Sequence, residues 1–116
     1  MHTNMRPILT LPDARDMITS TGARLPDRLA GKIGYGQDQQ SNIKLAFERI
    51  RSCFTLIEKK IKDPPVMQKL ELYLQKSLMA YEAGEDQAGD RYFIMFESIA
   101  FPENYKGAVI PSDWDW

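Results

Sequence analysis

Reactive side chains are scarce in this chain. His2 is its only histidine and Cys53 its only cysteine. Imidazole-activated nucleophilic catalysis needs a histidine beside a serine, cysteine or threonine, and a zinc centre needs several nitrogen or sulfur ligands. One residue of each type supplies neither. A lone cysteine also leaves no internal disulfide to form. Cys53 has only Arg49, one helical turn before it, to favour its thiolate, so it reads as a small, partly buried apolar residue.

Carboxylates are more plentiful. Glu82, Glu85, Asp86 and Asp90 gather around Gly84. They lack the alternating ligand spacing of a calcium loop, and acidic residues at a helix N-terminus are already favoured by the helix dipole. An enzyme that works through these carboxylates and a metal is the weakest of three readings. The glycine-rich GKIGYG, residues 31–36, follows no strand and lacks the Lys-Ser/Thr pair that completes a phosphate-binding loop. It reads as a connection. No catalytic residue, metal ligand or cofactor is expected, and the chain reads as non-enzymatic.

Basic side chains raise the question of nucleic acid. Net charge is −1, yet residues 41–76 carry a net +4 and residues 77–116 a net −6. A helix that tracks phosphates gathers its charge on one exposed face. Here Lys44, Arg51 and Lys62 fall on one flank of a helical wheel and Arg49 and Lys60 on the other, with Glu48 and Glu58 between. That split suits a core helix kept soluble. A nucleic-acid-associated regulator using the 41–76 segment is therefore the alternative reading, and the opposed charges of the two segments also suit complementarity between neighbouring helices.

Apolar residues away from the core pattern carry the leading reading. Leu45 and Leu56 lie nearly opposite an Ile/Phe stripe, and Leu72 and Met79 nearly opposite a second apolar face. The N-terminal segment can cover one pair; covering both, from opposite sides of a helical hairpin, is harder. A contiguous exposed apolar patch marks an interaction site. The chain ends in VIPSDWDW, with Trp114 and Trp116 beside Asp113 and Asp115. An aromatic, acidic tail can seat in a partner's basic pocket or fold back as a strap. The strap is favoured, with Trp114 at least half buried and Trp116 more exposed. Leu45, Leu56, Leu72, Met79, Trp114 and Trp116 are thus the candidate partner-binding residues, for another protein or a second copy of the chain.

These residues need a scaffold, and its period is helical. Ile43, Phe47, Ile50, Phe54, Ile57 and Ile61 recur at alternating spacings of four and three, predicting one helix over 39–62. Ser41 and Asn42 are its expected caps. Asp63-Pro64-Pro65 ends it and starts a second helix over 65–83, closed at Gly84 by a left-handed residue. A third spans 86–101 and returns antiparallel, with Ala88, Tyr92, Met95, Phe96 and Ile99 inward and Asp86, Asp90 and Glu97 outward. With Phe93, Ala100 and Phe101 added, its apolar face is the broadest, which makes it the most buried helix. LPDARDM and LPDRLAG each read as a short helix with proline in its first turn, stopped by Gly22 and Gly31. Thr10 and Asp13 form the pattern of a capping box.

The stretch SLMAYEAGEDQAGDRYFIMFESIAFP, 77–102, resembles a single tetratricopeptide-type helical hairpin. No second copy follows, and such solenoids need about three repeats for stability, so no family is assigned. With 43% hydrophobic and 27% charged residues in 116, the chain has the composition of one globular domain. No apolar run is long enough for a membrane span. The expectation is a small cytoplasmic all-α protein: one or two short N-terminal helices and a loop over 1–38, a three-helix antiparallel core over 39–101 and an ordered non-helical strap over 102–116.

Overall fold

The computed structural model describes residues 8–105, which form five α-helices: α1 (Leu11–Arg24), α2 (Gln39–Arg51), α3 (Phe54–Ile61), α4 (Pro64–Glu82) and α5 (Asp86–Ala100). One 3-10 turn, Pro102–Tyr105, closes the series. The fold is all-α, with no strand among the described residues. No helix there is long and apolar enough to cross a membrane.

Local chemistry explains most boundaries. Thr10 accepts from the Asp13 backbone N–H, and the Leu9 N–H donates back to the Asp13 carboxylate. Asp63 caps α4 through the Val66 N–H. Lys62 ends α3 in left-handed geometry, and Gly84 ends α4 with φ +79°. The short turn after Gly84 returns α5 antiparallel along α4. In their shared seam the Ser77 hydroxyl donates to the Gly89 carbonyl at 2.8 Å. α1 packs on α5, α2 and α3.

Four expectations are corrected. The helix over 39–62 is two helices, because the chain tightens at Ser52-Cys53. There the Cys53 N–H bonds three residues back to Ile50, while the Ser52 hydroxyl takes the Arg49 carbonyl. A serine side chain that competes for a backbone acceptor is a known source of such bends. The cap of α2 is Asp38, bonded to the Ser41 N–H at 2.9 Å, rather than Ser41 or Asn42.

The second LPD does not open a helix. Pro26 disfavours helical geometry at Leu25, whose ψ is 145°, so it ends α1 at Arg24 instead. Gly22, expected as a stop, lies inside α1 against Phe93. Gly31, at φ +79°, opens a loop closed by its N–H to the Gly36 carbonyl.

The fourth correction is Glu97, which is buried at 6% exposure instead of facing solvent. Phe93, Phe96 and Ala100 of the expected apolar face are the innermost residues of α5, while Ala88, Tyr92, Met95 and Ile99 are only partly buried. From Arg91 to Ala100 no residue of α5 is exposed.

The core is aromatic at its centre. Phe47 meets Tyr81 and Phe93 edge-on, each at 6.1 Å between ring centroids, and Phe93 leads on to Phe96 at 5.8 Å. Ile18, Ile43, Ile50, Ile57, Leu70 and Leu74 complete it, all fully buried.

Candidate functional site

The candidate residues separate on the surface. Leu72 and Met79 stand out from α4, 48% and 58% exposed, two turns apart on one strip. Leu45 and Leu56 are partly buried, and Leu56 packs on the core. Much of the N-terminal segment is consumed by that core: Ile18, Leu25 and Leu29 are buried, while Leu9 and Ile33 are exposed. Trp114 and Trp116 lie outside the described residues; of the strap expected over 102–116 only its first four residues are described, and they form the 3-10 turn Pro102–Tyr105 rather than non-helical chain.

Around Leu72 and Met79 the α4 surface is amide and ammonium. Gln68 and Gln75 are exposed on one side of the strip. On the other, the Lys69 ammonium lies 5.8 Å from the Tyr73 ring centroid and the Lys76 ammonium 5.5 Å from that of Tyr92. A cation held over a ring face keeps its charge and loses little freedom when a carboxylate arrives.

The basic residues of 41–76 do not share one face. Arg51 is engaged by Glu71 and by Gln75. Lys60 donates to the Ala100 carbonyl at 3.0 Å and to Glu103 at 3.1 Å. Lys44 and Lys62 are exposed, and Arg49 lines a cleft on α2.

The carboxylates divide likewise. Glu82, Glu85, Asp86 and Asp90 are exposed, and no three metal-binding side chains cluster among the described residues. Asp90 accepts from the Tyr81 hydroxyl, and burial together with Asp90 pushes the Tyr81 pKa up. Cys53 is fully buried, and burial raises its thiol pKa, so it is a poor nucleophile.

Glu97 is the one carboxylate that periodicity put on the wrong side. Thr19 and Tyr105 donate to it at 3.4 and 3.3 Å, which joins α1, α5 and the closing turn. Burial nevertheless raises its pKa above 4.5. The folded protein therefore holds this proton at pH values where the unfolded chain has released it. The favourable contribution is complete below the unfolded value and is lost as pH rises through the folded pKa.

Glu97→Gln should accordingly raise the melting temperature at neutral pH. It should also flatten the gain in stability on mild acidification, read by circular dichroism melts from about pH 7 to 5. A variant less stable than wild type at pH 7 would mean that the Thr19 and Tyr105 bonds outweigh the desolvation.

One cleft was not anticipated. It holds about 280 Å³ between the last turns of α1, the 29–35 loop and α2. Three cations line it, Arg24, Lys32 and Arg49, with Met17, Leu29, Ile33 and Tyr35 as its apolar wall. Its loop is fixed by Asn42, buried in α2, whose amide and carbonyl bond the Gly36 backbone at 3.0 and 3.1 Å. The cleft draws on residues 17 to 49, so no local motif announces it. The signals available were Arg49 on a helix flank and a tyrosine within the GKIGYG loop.

No protein-family model, no curated protein and no solved structure matches this chain.

Proposed function

We propose that this protein is a non-enzymatic protein-binding module whose docking face is the outer strip of α4. The observation that carries the reading is the exposure of Leu72 and Met79 together, two turns apart, on a helix whose opposite face is fully packed. Two such side chains, flanked by glutamines, favour an apolar segment laid along the helix.

Charge selects the occupant. Lys69 and Lys76 lie on one flank of the strip, so the complementary partner presents carboxylates beside its apolar residues. A second copy fits less well. Antiparallel pairing of α4 about a two-fold axis sets like flanks together, lysine against lysine. The partner is therefore a different protein with an acidic, amphipathic segment.

A photocrosslinking residue at Gln75, between Leu72 and Met79, tests this in the host cell. The expected result is a crosslink to another protein that disappears in Leu72→Glu/Met79→Glu and weakens in Lys69→Glu/Lys76→Glu. Leu72→Glu/Met79→Glu should keep wild-type stability to within about 0.5 kcal/mol, as exposed substitutions do, and Lys69→Glu/Lys76→Glu to within about 1–2 kcal/mol, because each lysine also sits over a ring. A crosslink to the same chain would make the face a homodimer contact. A crosslink pattern unchanged by both variants would remove the reading.

A further inference from the structure

We propose that the cleft between α1, the 29–35 loop and α2 binds a small phosphate monoester. Its phosphate would be held by Arg24, Lys32 and Arg49, and its apolar body would lie on Leu29 and Ile33. The lining contains three cations and no carboxylate.

Helix capping accounts for only part of this charge. Arg24 donates to the Ser20 carbonyl, and the neighbouring Arg28 to the Ala23 carbonyl, both in the last turns of α1. The Lys32 ammonium and the Arg49 guanidinium make no hydrogen bond or ion pair among the described residues, although fifteen cations and sixteen anions make partners available across the chain. The wall supplies a second observation. The Tyr35 hydroxyl is buried and makes no hydrogen bond among the described residues. A donor left in that state costs about 1–3 kcal/mol unless something accepts from it.

The donor set distinguishes among anions. Two guanidinium groups and an ammonium offer more donors than the two oxygens of a carboxylate can use. A phosphate monoester brings three terminal oxygens and nearly two charges. The volume favours a small molecule over a strand. Small-molecule pockets begin at about 300 Å³, close to the size of this one. Leu29, 2% exposed, and Ile33, 70% exposed, form a floor and an open edge on which a ring can rest.

Calorimetric titration of the full chain with phenyl phosphate, inorganic phosphate and benzoate tests the assignment. Phenyl phosphate should bind saturably at one site. It should bind more tightly than inorganic phosphate, which lacks the ring, and more tightly than benzoate, which lacks the third oxygen. Arg49→Gln and Lys32→Gln should each weaken phenyl phosphate by about tenfold, the effect of losing a charge-assisted hydrogen bond.

Lys32 is exposed, so its variant carries the test even if Arg49→Gln fails to fold. Three outcomes would overturn the proposal: phenyl phosphate binding no more tightly than inorganic phosphate or benzoate, affinity unaffected by Lys32→Gln, or a single-stranded oligonucleotide binding more tightly through the same residues.

Discussion

Phe96→Ala should cost about 3–5 kcal/mol of unfolding free energy, the range for truncating a buried aromatic. Phe96 is fully buried, stacked on Phe54 at 6.0 Å and 13° and tilted against Phe93 at 5.8 Å. It therefore joins the helix after the Ser52-Cys53 bend to the aromatic series that runs through Phe93 and Phe47 to Tyr81. Alanine would leave a void beside the rings of Phe54 on α3 and Phe93 on α5, which cannot close without moving α3 against α5. Urea unfolding should show a lower midpoint and an unchanged slope. A loss below about 1 kcal/mol would mean that the centre of this core is loosely packed.

Periodicity made the class and most elements of this fold legible. The spacing of Ile43, Phe47, Ile50 and Ile57 and the turn residues Asp63, Pro64 and Gly84 are local signals, and they correspond to observed helices and ends. What escaped was decided by neighbours distant in sequence. Glu97 is polar and two turns beyond Asp90, so a wheel sends it outward. Thr19 from α1 and Tyr105 from the closing turn make its burial tolerable. Pro26 could start or stop a helix; α1, already continuous through Gly22, settles it as a stop. The bend at Cys53 is local but weakly encoded, resting on a serine hydroxyl's choice of acceptor.

The surface residues follow the same division. Leu72 and Met79 were found because a helix wheel predicts its own outer face. The cleft joins an arginine from α2 to one from α1 and a lysine from a loop, and no window of the sequence contains all three. Leu45 and Leu56, read as a pair on one helix, fall on α2 and α3, either side of the bend.

Gly89→Ala should destabilise the protein by about 1–3 kcal/mol, the cost of overpacking a close helix contact. By helix propensity alone the change should help, since alanine exceeds glycine by about 1 kcal/mol within a helix. Gly89 lies near the start of α5, buried against the Tyr81 ring of α4. A Cβ there would stand 2.6 Å from two Tyr81 ring carbons and 2.8 Å from a third. Tyr81 cannot swing aside freely: its ring is 1% exposed, it meets Phe47 edge-on, and its hydroxyl is bonded to Asp90. The clash also bears on the Ser77 bond to the Gly89 carbonyl, which depends on the same close approach. Gly36→Ala is the control, because a Cβ at Gly36 meets nothing within 4 Å. If steric contact with Tyr81 is the cause, adding Tyr81→Leu to Gly89→Ala should cost less than the two single changes together, a coupling of about 0.5–3 kcal/mol in a double-mutant cycle. Additive losses would assign the effect to the backbone of α5. A stabilising Gly89→Ala would mean that α4 and α5 cross less closely than their shared seam requires.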